Sequence, residues 1–299
     1  MARSFPPDVV VFDNDSIVHA RLARGRSGPR IVNAKSYRLA ADTFTAAPVT
    51  PQLANESSIV ETLRRLRMET GKWEKVSLLL PDSWFRINIV ELPTVPERAA
   101  DATEVVRWSL KRTLPIPPEQ LRVAYSVLSR TPEGGAKVLV LSALEATLTA
   151  IERIFTTAGF EVVLIEPVGL NIWNAITVRE GADGAGDRLF FYLRETEFTT
   201  AVFRGAQPLF IRSRNLSAQR SIDQEIRLSA NYLRDSLNVE TFSRCYVAGH
   251  RGEDVHATLA EEFGAEVRPV RLRDYAEHVT AAADGWDAEL TACTGVFTG

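Results

Sequence analysis

Phe12-Asp13-Asn14-Asp15-Ser16 and Tyr192-Leu193-Arg194-Glu195-Thr196 read as two versions of one turn. Each follows an apolar strand and precedes an alternating one. Overlaid, the stretches stay in register as far as Arg24-Gly25 on Arg204-Gly205, an ungapped offset of 180 residues. A third strand follows each, from Arg30 to Tyr37 and from Pro208 to Arg214. One repeat at half the chain length is not a solenoid, whose period is short. It predicts two related lobes, each opening with a three-stranded antiparallel meander.

The rest of the chain fits a globular reading. Its 299 residues suffice for one large or two medium domains. A net charge of −3 gives no electrostatic case for nucleic acid as a partner. The N-terminal Met1-Ala2-Arg3-Ser4-Phe5-Pro6-Pro7 lacks the apolar stretch of a signal peptide, and no apolar run approaches a membrane span. Cys245 and Cys293 fit no metal spacing and imply no disulfide framework. A cytoplasmic protein without direct membrane insertion is expected.

After the first meander, Ser57 or Ser58 is placed to cap a helix running to about Thr70, with Ile59, Leu63 and Leu66 as its apolar stripe and Gly71 as its stop. Val76–Leu80 has the unbroken apolarity of a strand buried on both faces. Residues 86–141 differ in texture. Two alternating strands flank a helix from Ala99 to about Thr113, with Val105, Trp108 and Leu110 among its apolar positions, and a Pro-rich strip follows. They read as an inserted α+β subdomain. Residues 1–85 and 142–180 then form lobe one, 181–187 a glycine-rich linker and 188–299 lobe two.

Val76-Ser77-Leu78-Leu79-Leu80-Pro81-Asp82, Val90-Glu91-Leu92-Pro93, Trp108-Ser109-Leu110-Lys111-Arg112, Leu114-Pro115-Ile116-Pro117, Ala158-Gly159-Phe160, Ile165-Glu166-Pro167 and Glu225-Ile226-Arg227-Leu228-Ser229 with Tyr232 lie in an informative order. Together they resemble the PilM family of type IV pilus assembly, within the actin-like ATPase superfamily. The resemblance implies an α/β, two-lobed actin-like (ribonuclease H-like) fold. Each lobe is βββαβαβα around a mixed sheet, and the inserted subdomain belongs to lobe one. It also implies a helical subdomain after the second meander. Here Asn215-Leu216 runs almost directly into the next helix, so that subdomain is largely missing and the base pocket loses a wall.

In actin-like ATPases the two hairpin turns cradle phosphates through Asp-x-Gly, because backbone N–H groups must approach closely. The corresponding residues here are Asp13, Asn14, Asp15 and Ser16 in one turn, and Arg194, Glu195 and Thr196 in the other, without a glycine. Asp15 and Glu195 would face an anion, a cost of several kcal/mol if desolvated. One glycine of the family's adenosine pair is kept, Gly249, followed by His250. The expectation is a vestigial nucleotide site with no catalytic residue, no metal and no cofactor. Mg-ATP binding by an active ATPase or kinase is the alternative. Asp13 is placed to orient a metal-bound water, although a hydrated turn aspartate is the plainer reading.

Other constellations are weaker. His250 and His256 do not share a helix face, His19 lies within a strand, and Arg64-Arg65-Arg67 reads as a solvated helix face. By resemblance, a groove between lobe one and the inserted subdomain takes the cytoplasmic peptide of a PilN-like single-span membrane protein. Phe85, Arg107, Trp108 and Arg112 are the candidate groove residues; the competing reading has Trp108 filling the subdomain's own small core. The implied function is a scaffold of the pilus inner-membrane platform that relays assembly state to a cytoplasmic motor ATPase. A GspL-like cytoplasmic domain of a type II secretion system is a further alternative.

Overall fold

The computed structural model describes residues 5–298 except 14, 41–42, 46–51, 72–73, 182–185, 206, 217–220, 238, 240, 251–253 and 278–284. The chain opens with the expected meander of β1 (Asp8–Phe12), β2 (Ser16–Arg24) and β3 (Pro29–Arg38). A short hairpin of β4 (Phe44–Thr45) and β5 (Gln52–Leu53) follows, which the sequence reading lacked. The helix α1 (Glu56–Thr70) is capped by Asn55, not by Ser57 or Ser58: the Asn55 side chain accepts from the Ser58 amide at 3.1 Å. Strand β6 (Lys75–Leu80) completes this run, and a 3-10 turn over Asp82–Trp84 leads into the insertion.

The insertion comprises β7 (Arg86–Leu92), α2 (Ala99–Ser109), β8 (Leu121–Arg130) and β9 (Ala136–Leu144), with the strands ordered β7-β9-β8. Helix α2 buries Ala102, Val106 and, just past its end, Leu110 against this sheet. Val105 and Trp108 are exposed instead. The apolar stripe is thus offset from the predicted one, and Trp108 does not fill the subdomain core.

The chain then forms α3 (Glu145–Ala158), β10 (Glu161–Pro167) and α4 (Val168–Glu180). The second half runs β11 (Asp187–Leu193), β12 (Glu197–Arg204), β13 (Gln207–Asn215), α5 (Ile222–Leu237), β14 (Arg244–Ala248), α6 (His256–Phe263), β15 (Val267–Pro269) and α7 (Asp287–Thr298). Asp187 therefore begins a strand and does not end the linker. Each half reads βββαβαβα, around mixed sheets ordered β10-β6-β1-β2-β3 and β13-β12-β11-β14-β15.

Strand register corrects the repeat by one residue. Phe12 pairs with Ile17, and Leu193 with Phe198. The Asp13 amide donates to Ser16 O at 2.9 Å, and the Arg194 amide to Glu197 O at 2.9 Å. Asp13 thus corresponds to Arg194, an offset of 181. A slip of one turns every side chain to the opposite face, and only the corrected register matches faces. Val9, Val11, Val18 and Ala20 enter the same core as their counterparts Phe190, Tyr192, Thr199 and Ala201, of which all but Thr199 are apolar members.

That core lies between the two sheets and is filled by α4 and α7. The helices are exchanged. Trp173 of α4 stacks on Phe203 of the second sheet at 3.8 Å, whereas α7 packs on β1, β2, β3 and β6 of the first. They cross closely at Gly295, where a Cβ would sit 1.8 Å from Asn171 O. Helices α1 and α3 cover the outer face of the first sheet, and α5 and α6 that of the second. A strand covered on both faces is apolar through its middle, and β1 and β11, buried along their full length, are apolar after Asp8 and after Arg188.

Candidate functional site

The two equivalent turns meet across the seam between the sheets. Arg194 is 1% exposed, and its guanidinium donates to Asp13 Oδ1 from one nitrogen and to Glu197 Oε1 at 2.9 Å from another. Burial opposes the Arg194 charge. Tyr192, Glu197 and Asp13 outweigh that and hold it as a cation. Glu289 comes from α7, is buried, and receives the Tyr192 hydroxyl at 3.4 Å. His250, just after β14, places Nε2 3.8 Å from Asp13 Oδ2 and 3.9 Å from Glu289 Oε1. The contact with Asp13 raises the His250 pKa, and burial raises that of Glu289.

Asp82 forms a second tie across the seam. Its Oδ1 accepts from the Gly169 amide at the start of α4 at 2.7 Å, and its Oδ2 from the Thr199 hydroxyl of β12 at 2.6 Å. Burial lifts the Asp82 carboxyl to about 6. Gly169 permits the approach, since a Cβ there would stand 2.2 Å from Asp82 Oδ2.

The remaining residues expected at a nucleotide site are dispersed. Asp15 is exposed and pairs with Arg38 at 3.2 Å; Glu195 and Thr196 are exposed, and Ser16 is buried in its strand. Asn14 lies outside the described residues. Gly249 has φ +98°, and a Cβ there would lie 1.8 Å from Leu193 O, so this glycine lets β14 pass the second turn. Beside it a cavity of about 490 Å³ opens at the carboxyl ends of β14 and β15, lined by His250, Asp254, Arg271, Arg273 and Asp287.

Sequence reasoning missed Asp82, Glu197 and Glu289. Glu197 is readable as the partner three residues after Arg194. Glu289 is a lone carboxylate in the apolar run Ala288-Glu289-Leu290, which carries a signal only once that run is recognised as a buried helix.

A separate groove of about 210 Å³ lies between the first sheet and the inserted subdomain. Its walls are β8 and β10, each the edge strand of its sheet. Phe85 and Leu148 line its floor, Val163 is exposed at its wall, and a bulge lies between Val162 and Leu164. At the mouth Arg122 donates to Glu145, through Nε at 3.0 Å and through a second nitrogen, and to Glu152 at 2.6 Å. Of the predicted groove residues only Phe85 is there. Trp108 is exposed on α2 with Lys111 over its ring at 5.5 Å, Arg107 pairs with Glu104, and Arg112 is exposed. Among the described residues no helix is long and apolar enough to cross a membrane.

No protein-family model matches the sequence, and no curated protein matches it. Solved structures do match. A chain of the PilM-PilN type IV pilus biogenesis complex overlays with a TM-score of 0.82 over 98% of both chains, at 15% identity. A protein of actin-like ATPase fold and unknown function from Bacteroides thetaiotaomicron overlays with a TM-score of 0.50, over 87% of this chain and 90% of that one, at 12% identity. The cytoplasmic domain of EpsL, an inner-membrane component of the Vibrio cholerae type II secretion system, reaches 0.48 over 80% of each chain at 13% identity, too loose a likeness to single out that system. The exchanged helices, the paired meanders and the overlay agree: this chain has the two-lobed actin-like fold, in the form seen in the PilM-PilN complex.

Proposed function

We propose that this chain is a cytoplasmic scaffold of a type IV pilus inner-membrane platform, and that its groove holds the cytoplasmic tail of a PilN-like membrane protein. The observation that carries this reading is the groove bounded by two strand edges, β8 and β10. An edge offers a row of backbone donors and acceptors, which an extended peptide satisfies by adding a strand. Glu145 and Glu152 at the mouth offer carboxylates to a segment next to a membrane helix on the cytoplasmic side, where Lys and Arg are enriched. Likeness to a chain of a PilM-PilN complex supports the same partner.

The residues at the seam do not fit Mg-ATP. The described parts of the turns contain no glycine to let backbone amides approach a phosphate, and the buried Arg194 guanidinium bridges the two turns by donating to Asp13 Oδ1. Two further carboxylates, Glu197 and Glu289, face the same space. The protein therefore binds and relays and does not turn over ATP.

The test is fluorescence anisotropy with a labelled synthetic peptide of the cytoplasmic N-terminal segment of a PilN-like membrane protein. Saturable binding that Val163→Arg abolishes and Trp108→Ala preserves is expected. Binding lost with Trp108→Ala but kept with Val163→Arg would move the site to α2 and overturn the groove assignment.

A further inference from the structure

We propose that Asp13, His250 and Glu289 bind one transition-metal ion of the Zn²⁺ class at the seam between the two sheets, with water as the fourth ligand. The three donor atoms lie within 4.8 Å of one another. Tetrahedral zinc with bonds of about 2.0 Å places its donors roughly 3.3 Å apart. The separations of 3.8 and 3.9 Å at His250 therefore need to contract by about half an ångström, comparable to a side-chain adjustment.

Two independent observations point to a cation here. Glu289 is 1% exposed, and its Oε2 has no hydrogen-bond partner, an arrangement that buried carboxylates avoid. The immediate charges also do not balance. Asp13, Glu197 and Glu289 bring three carboxyl groups together around the guanidinium of Arg194, with the His250 ring the other basic group in contact. A divalent ion offsets that excess, and buried ions need such compensation.

The donor set also selects the ion. Imidazole favours zinc, cobalt or nickel over magnesium. Asp13 divides its two oxygens, with Oδ1 on Arg194 and Oδ2 toward His250. Arg194 and the Tyr192 hydroxyl are then outer partners that orient the ligating carboxylates. His250, with 39% of its side chain exposed, gives the ion a way in from the adjoining cavity. The ion would tie Asp13 of β1's turn to His250 and Glu289 of the second half, with no phosphate involved.

The experiment is titration of the chelator-treated full chain with Co²⁺, read by visible ligand-field absorption, followed by displacement with Zn²⁺ and with Mg²⁺. One equivalent of Co²⁺ should bind, Zn²⁺ should displace it, and Mg²⁺ should not. His250→Ala, at a part-exposed position that folding tolerates, should weaken binding by more than about tenfold, the loss that removing even an outer partner causes. Glu289→Gln should do the same, and His256→Ala should change nothing. The proposal is overturned if no one-equivalent binding is seen, or if His250→Ala binds Co²⁺ as tightly as the unaltered chain.

Discussion

Asp13 and Arg194 occupy the same position in two copies of one turn, and they bind each other. They face each other across the seam, with a cation in the second turn where the first has an anion. The contact ties the two turns to each other directly.

Removing the cation should be costly. Arg194→Met would leave Asp13 and Glu197 buried beside Glu289 without a compensating charge. Breaking a buried pair on one side typically costs about 3–5 kcal/mol. Urea denaturation should show a loss of that size. Arg194→Lys should recover only part of it, because an ammonium cannot reach both carboxylates as the planar fork does.

Asp82 should give the seam a measurable pH dependence. Its carboxyl titrates at about 6 in the folded chain against an ordinary 3.8, so the native state holds that proton more tightly than the unfolded one. Its contribution is complete below about pH 4 and is lost as pH rises through about 6. The interval corresponds to about 3 kcal/mol. Asp82→Asn keeps an oxygen for the Gly169 amide, and Thr199 can accept from the new amide. Stability measured between pH 4 and 7 should therefore fall less steeply in Asp82→Asn than in the unaltered chain.

The exchanged helices depend on a missing side chain. In Gly295→Ala the new methyl would meet Asn171 O at 1.8 Å, which forces α4 and α7 apart. Overpacking of this kind typically costs about 1–3 kcal/mol. Thermal unfolding should show a lower midpoint for Gly295→Ala, whereas Gly134→Ala, in an open turn with nothing near its Cβ position, should lose only what its φ of +89° demands.

Much of this fold was legible because local chemistry and global architecture agree. The turn repeat, the apolar run of β6 and the strands and helix of the Pro-bounded insertion each predict an element that is present. The offset was read as 180 because matching Arg24-Gly25 to Arg204-Gly205 rewards identity, whereas hydrogen bonding fixes register by face. Trp108 reads from sequence as a groove residue or as core, and it is neither: it is exposed on α2 away from the groove, while the subdomain sheet takes Ala102, Val106 and Leu110. Glu289 was invisible as a site residue because α7 reaches the seam by packing on the other half's sheet, a long-range fact with no local signature.

Those two readings of α2 differ in their energetics. Leu110→Ala should destabilise the inserted subdomain by about 2–5 kcal/mol, since it empties a fully buried position. Trp108→Ala should stay within about 0.5 kcal/mol, as at an ordinary surface site. Hydrogen exchange of the β7–β9 amides would report both, and a large Trp108→Ala effect there would return this residue to the core.

Calorimetric titration of the full chain with ATP and Mg²⁺ bears most directly on the whole account. A sealed seam predicts no saturable heat at micromolar to millimolar nucleotide. One-to-one binding in the micromolar range, with a heat that Arg194→Met alters, would contradict it and return the chain to the nucleotide-cycling members of its fold.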